Sequence, residues 1–492
     1  MTHRLWLMEG TRTISLTTGK YRLLQYTPAQ AEGTGAMELP DEHNAPVVDE
    51  IQIEVLGDNP QDLQANWAAL EEILNRAARA EETGAGERVY LRVQMSGETE
   101  SWRSPVLSGR IIPADTAWRL WANNAVEATV LITRRNYFEA LSERRAMVGN
   151  SANTLDSGMW IGVRTVPTYA EATLSSQDKV RVLNHDDSDP GHDNWAHVES
   201  DQVVGTLPTP ARVVITSQDP ALLNSPSYSV VWLGHHVDGD PAYRSMVYEA
   251  EDGSHAVGTR NEITNSDASG GSYLSISWTT SSLTPLWYIT VPAGALEALS
   301  GLRCMVLARF MTPPASDIRI RAYLASATGF PTGSYDVARG PMVQMDGQRY
   351  FWHLGSLPFP PALRGIQDVG PLALHLEAIA TSGSGTVDLD FVALLPTQTY
   401  RVLELVPGYV SYAQGDQLID DAMEEVAYYR HYVSGVPESY PIYATRGPGI
   451  WLYPGRDQRI HLWAYEGSFG GQVDITREFD IELFYRPRRR TL

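Results

Sequence analysis

Apolar and polar residues alternate along most of this chain, and a helical period interrupts the alternation in one long segment. In "DEIQIEVLGD", Ile51, Ile53 and Val55 recur at every second position, which places them on one face of a half-buried strand. The segment "KYRLLQYTPA" alternates in the same way. The period then changes in "DNPQDLQANWAALEEILNRAARAEETG", where Leu63, Trp67, Leu70, Leu74 and Ala77 recur at helical spacing. Asn59 suits the N-cap, Pro60 suits the first helical position, and Gly84 and Gly86 end the run. The strand pattern returns in "RVYLRVQM" and "AVEATVLITRRNYF". Residues 1–150 therefore read as one α+β domain, a long helix on antiparallel sheet.

The stretch from Gly149 is less patterned, and "HDDSDPGHDNW", His185 to Trp195, collects turn formers and acids, so 151–196 reads as a connector. From "TPARVVITS" through "YSVVWLG", "SYLSISW", "LWYITV", "LRCMVLARFM", "IRIRAYL", "RYFWHLG", "LALHLEAIA" and "TVDLDFVALLP", short strands alternate with turn signals. Regular spacing of this kind predicts a β-sandwich or jelly roll over 197–398. A β-rich C-terminal domain, 399–492, follows, in which "QLIDDAMEEVAYY" also fits a helix. No repeat of solenoid or propeller length is present. The fold class expected is mainly β: an N-terminal α+β domain followed by β-sandwich or jelly-roll modules.

Composition agrees with an ordered, turn-rich protein: 492 residues, 43% hydrophobic, with 40 Gly, 30 Pro and 13 Trp. The single cysteine, Cys304, excludes an internal disulfide framework and a four-thiolate zinc site. A formal charge of -21 opposes binding to a phosphate backbone, so nucleic acid is not an expected partner. The opening "MTHRLWLMEGTRT" lacks a signal-peptide core, and no stretch approaches the roughly 20 apolar residues of a membrane span. The expectation is a chain made in the cytoplasm that leaves a cell, if it does, by lysis or within a particle.

The sequence contains no Walker A motif, no His-Glu-x-x-His and no Gly-x-Ser-x-Gly. A glycosidase stays open, since it needs only two carboxylates that the fold brings together. His235 and His236, with Asp238 and Asp240, are weak metal candidates because adjacent strand residues point to opposite faces. "HDDSDPGHD" spaces oxygen donors somewhat like a calcium loop, but Pro190 and the missing terminal Glu favour a solvated turn. "RPRRR", Arg486 to Arg490, reads as a flexible basic end or as a contact to an acidic neighbouring subunit. In "VYEAEDGSHAVG", Glu249 and Glu251 share one side if the segment is a strand. Two parallel carboxylates call for a cation such as calcium or for solvent.

"YEAEDG", followed by "SDASGGSYLSI" and closing with "VDLDFVALLP", resembles the calcium-containing carbohydrate-binding modules of the galactose-binding jelly-roll superfamily over Val247 to Pro396. The resemblance implies a structural calcium held by Glu249, Glu251 and Asp390. Sugar recognition wants an aromatic face against which a pyranose stacks, and Trp278, Trp287, Tyr288 and Trp352 are the available candidates.

The flanks resemble a different family. "GDNPQDLQANWAALEEILNRA" leading to "VYLRVQMSGETESWRSPVLSGRI", together with "LPTPARVVITS" and "GPGIWLYPGRDQRIHLWAYEG", is similar to minor tail proteins of long-tailed bacteriophages, the distal tail protein class in particular. The resemblance implies a virion protein of the tail tip or baseplate, not an enzyme. Its N-terminal domain would form a homo-oligomeric ring, usually a hexamer, that joins the tail tube protein to tail-tip hub proteins. A jelly roll outside such a ring implies attachment to a host-surface glycan. Trp102, Arg103, Trp118 and Arg119 are of the residue types that anchor interfaces. The rival expectations are a polysaccharide-degrading enzyme with a carbohydrate-binding module and a purely structural tail protein that binds no sugar.

Overall fold

The computed structural model describes residues 3–29, 45–114, 124–146, 180–183, 195–217, 228–237, 246–254, 258–265, 268, 271–291, 296, 299–326, 336–360, 372–405, 415–433, 435–442, 444–466 and 478–490. The protein is mainly β. It divides into two compact units: one comprises Met1–Arg144, Val203–Thr209 and Tyr485–Leu492, the other Arg145–Gln202 and Pro210–Phe484.

The first unit contains strands β1 (Arg4–Glu9), β2 (Arg12–Ser15), β3 (Tyr21–Thr27) and β4 (Val47–Leu56), helix α1 (Pro60–Thr83), then β5 (Val89–Gln94), β6 (Trp102–Pro113), β7 (Ala125–Arg134) and β8 (Phe138–Ala140). The strands form one antiparallel sheet in the order β2-β1-β5-β6-β7-β4-β3. Helix α1 starts where Asn59 accepts the Asp62 amide at 2.9 Å and ends at Gly84, whose left-handed φ of 63° a β-carbon would strain. Leu63, Leu70, Ile73, Leu74 and Ala77 bury one helix face against the sheet, and Gly109 leaves room for Leu74. At the other end of the core, Arg134 clasps Asp49 from Nε at 2.6 Å and Nη2 at 3.1 Å. Tyr26 Oη and the Ala29 amide also donate to that carboxylate, so the buried pair is satisfied on both sides.

The C-terminal segment belongs to this unit. Arg488–Arg489 pairs with β8, and Arg488 bonds Glu139 at 3.3 Å while lying 4.1 Å over Tyr137. Arg489 lies 3.6 Å over Trp102 and pairs with Glu98. Gly205, at φ 136°, lets its backbone approach the Arg488 carbonyl, where a β-carbon would come within 2.6 Å. Arg488 and Arg489 of the basic run are therefore an ordered part of a sheet, their guanidiniums drawn in by carboxylates and aromatic faces.

In the second unit, a jelly roll runs from Met246 to Pro396. One of its sheets orders the strands Thr259–Thr264, Ser272–Trp278, Gly385–Pro396, Arg303–Phe310 and Phe351–Pro358, with Met246–Glu249 also on Gly385–Pro396. The other orders Thr284–Thr290, Leu372–Ala380, Ile318–Ser326 and Asp336–Arg339, with Val343–Gln344 on Ile318–Ser326. Their inner faces enclose one apolar core. A second pair of sheets surrounds the insertion point: strand Tyr228–Val237, just before the jelly roll, pairs with Tyr400–Glu404, just after it. The jelly roll is thus an insertion between neighbouring strands, and long-range pairing joins the two sides of the expected boundary between 197–398 and 399–492. "QLIDDAMEEVAYY" is a hairpin, Gln417–Asp421 against Val426–Val433, turned by Asp421 accepting the Met423 and Glu424 amides. Most of 151–196 lies outside the described residues, but Val180–Leu183 within it, and Trp195–Val198 across its end, are sheet strands.

Candidate functional site

The acidic turn that opens the jelly roll is built around Trp287. Strand Met246–Glu249 ends before Ala250, so Glu251 lies in a turn and does not continue the strand alternation beyond Glu249. Tyr248 and Ala250 point into the core. Trp287 Nε1 donates to the Ala250 carbonyl at 2.9 Å, and Gly253 sits so close to the indole that a β-carbon would fall 2.0 Å from Nε1. The glycine of "YEAEDG" is there for this contact.

The positive charge at this turn comes from arginines. Arg309 Nη1 meets Asp390 Oδ2 at 2.5 Å, with the two side chains 2% and 0% exposed. Arg260 donates from Nη1 to the Gly253 carbonyl at 3.0 Å and from Nη2 to the Glu251 carbonyl at 2.8 Å. Glu251 Oε1 accepts the Ser272 hydroxyl at 3.0 Å, and burial raises its carboxyl above the usual range. A calcium ion would need these oxygens directed at a common point. Arg309 takes one Asp390 oxygen and Arg260 bonds only backbone carbonyls, while Glu251 Oε2 is buried without a hydrogen-bond partner; among the described residues no set of three His, Cys, Asp or Glu is arranged to hold a metal. Asp390 is engaged by Arg309, and the calcium role that the resemblance implies for Glu249, Glu251 and Asp390 stays an expectation.

The aromatic candidates divide by depth. Trp278, Trp287 and Trp352 are 3%, 0% and 3% exposed within the jelly-roll core, which leaves them no face for a sugar. Their alternation with polar residues placed them on the inner side of the strands, and packing claimed them. Tyr288, on the opposite face of its strand, is half-buried and stacks on His375 at 5.4 Å. His375 is in turn stacked on Tyr323 at 4.7 Å.

Among the interface candidates, Trp102 is buried beneath Arg489, while Arg103 bonds Glu139 at 2.8 Å on a half-exposed face. Trp118 and Arg119 lie outside the described residues, as do Asp238, Asp240 and the "HDDSDPGHD" turn. His235 is buried, 3.1 Å from Gln458 and stacked on Tyr453, which is the environment of a packed core histidine.

Sequence reasoning missed Arg309 and Arg260. A single arginine within the apolar run "RCMVLARF" was the available signal, since a charge at a core-strand position requires a buried partner.

No family model and no curated protein matches the chain. Solved structures do, two of them as follows. The phage P2 baseplate in its activated conformation with Ca matches at a TM-score of 0.24 and 8% identity, over 77% of this chain and 99% of that one. The same baseplate with Sr matches at 0.22 and 9%, over 79% and 98%. At TM-scores this low the likeness carries no weight for fold or role.

Proposed function

We propose that the chain is a structural component of a long-tailed phage tail tip: the N-terminal unit assembles into a ring, usually six copies, between the tail tube protein and the hub, and the second unit displays a jelly roll outward. No bond-breaking step is asked of it, and its place is the virion. The resemblance of its flanks to distal tail proteins motivates this reading. The observation that carries it is the insertion of the whole jelly roll between Tyr228–Val237 and Tyr400–Glu404, which still pair with each other. A module inserted this way is added without breaking its parent sheet, which is how a display domain is grafted onto an assembly scaffold.

Negative-stain electron microscopy of the purified chain, alone and mixed with tail-tube protein, tests the reading. Closed rings are expected, and a strict monomer under both conditions would remove it.

For the jelly roll itself there are two versions, host-glycan attachment and purely structural packing. Burial of Trp278, Trp287 and Trp352 favours the structural version, and Tyr288 is the one candidate ring on the non-core side of its strand. A glycan array probed with assembled rings separates the two, since specific binding lost in Tyr288→Ala would restore attachment.

A further inference from the structure

The sheet of the N-terminal unit turns one face to its core, and its outer face is sorted by charge. On the β1-β5-β6 flank, Trp6, Arg92 and Arg103 form a single cross-strand row, with Arg92 directly opposite Arg103. Like charges facing each other across a ladder cost stability. Arg92 lies 4.7 Å over Trp6, and Arg103 lies 4.3 Å over Tyr90. Glu139 answers Arg103, whereas among the described residues neither Arg92 nor the exposed Arg4 is ion-paired. Arginine, tryptophan and tyrosine on one surface are the composition of an interface anchor.

On the β3-β4-β7 flank the sign reverses. Glu54 stands directly opposite Glu127, and Glu50 lies on the same face of β4. Arg22, 3.5 Å from Glu54 and 70% exposed, is the cation beside them, and Arg110 on β6 faces Leu131 instead of a carboxylate. A second unfavourable facing pair, of opposite sign, thus occupies the other flank. A register shift between Val106 and Ser108 lies in β6 between the two flanks, and such bulges bend a strand. Both inner faces line one core, so the outer faces are directed away from it on different sides.

We propose that the Arg4, Arg92 and Arg103 flank of one copy docks on the Glu50, Glu54 and Glu127 flank of the next. Each flank relieves the repulsion that the other carries, and the partner that offers the matching charge pattern is a second copy of this chain. The contact is head to tail: two different patches of each subunit are used, and repetition closes into a ring when the rotation closes. This inference rests on the ring reading and names the surfaces that make the ring.

Two charge-reversed chains test it: Arg4→Glu with Arg92→Glu, which makes both flanks acidic, and Glu50→Arg with Glu127→Arg, which makes both basic. Each is examined by sedimentation velocity and native mass spectrometry, with circular dichroism and a thermal melt checking the fold. Should Arg92→Glu unfold by losing its place over Trp6, Arg4→Gln with Arg92→Gln supplies a milder neutralisation. The expected result is that each reversed chain alone assembles at least about tenfold more weakly than the parent, and more weakly again in low salt, where like-charge repulsion is least screened. An equimolar mixture is expected to recover assembly, with the two chains alternating. If the parent forms rings and both folded variants form them equally well alone, the flank assignment is overturned and the ring stands. If the parent itself stays monomeric, the ring reading and this inference fall together.

Discussion

Arg309 shows how one residue changes the surroundings of an expected site. The opening acids of the jelly roll, read by themselves, call for a cation, and the fold places guanidiniums among them: Arg309 on Asp390 and Arg260 on the carbonyls of the turn. Asp49 and Arg134 repeat the theme in the N-terminal unit, where each Asp49 oxygen accepts two hydrogen bonds. His353 is the residue with a clear consequence for pH. Burial first, and then the nearby Arg446 charge, hold its ring down to a pKa of about 4 against 6.5 for the free side chain. A lowered histidine pKa means that the folded chain resists protonation, so this contribution to stability is complete above pH 6.5 and declines as pH falls from there through about 4. Unfolding midpoints in denaturant, followed across pH 7 to 4, should therefore fall less for His353→Phe than for the parent. An equal decline in both would mean that His353 does not titrate in this way. Residue type alone does not name the partners at these three sites, since each comes from a distant strand.

At the scale of elements, legibility follows the range of the forces. Helix α1 was readable to its ends because its signals are local: the apolar period, Asn59, Pro60 and the left-handed Gly84 all act within a few residues. Asn59→Ala is expected to cost about 1 kcal/mol in denaturant unfolding through loss of the bond to the Asp62 amide, with Asn59→Ser near neutral. The strands were readable from alternation, but the hairpin at Gln417–Val433 was also compatible with a helix. Its two strands bury Leu418, Ile419 and Tyr429, and the left-handed Glu425 in the turn between them is incompatible with a continuous helix. Tryptophans on the strands could be placed on a face by alternation, yet which face is the core depends on which sheet covers it.

The organisation of the whole chain depends on contacts between segments hundreds of residues apart. Residues 485–490 finish a unit that begins at residue 3, and Val203–Thr209 joins them there. The arginine-rich segment had been open to two readings, free end or intersubunit contact, because composition says nothing of where a strand pairs. Its role within the sheet leads to a direct expectation: Arg488→Met should destabilise the chain by about 3 kcal/mol, since it breaks a largely buried pair with Glu139. The measurement is the shift in the first transition of a guanidinium unfolding curve on the full chain, and a midpoint unmoved from the parent would argue that the segment is dispensable. The same scale governs assembly, because the facing pairs Arg92/Arg103 and Glu54/Glu127 become visible only once strand register is known.

The amino-acid sequence by itself determined what local physics can settle: a mainly β chain, one capped helix, a run of short strands with turns, and a net acidic composition. The tertiary structure alone decided which sheet each strand joins, that the jelly roll interrupts a pair of neighbouring strands, that three tryptophans are core, and that Arg309 pairs with Asp390 while Arg260 holds the carbonyls of the opening turn. The physical reason is that periodicity, capping and turn chemistry act over a few residues, whereas burial, ion pairing and register are set by whatever the folded chain brings alongside.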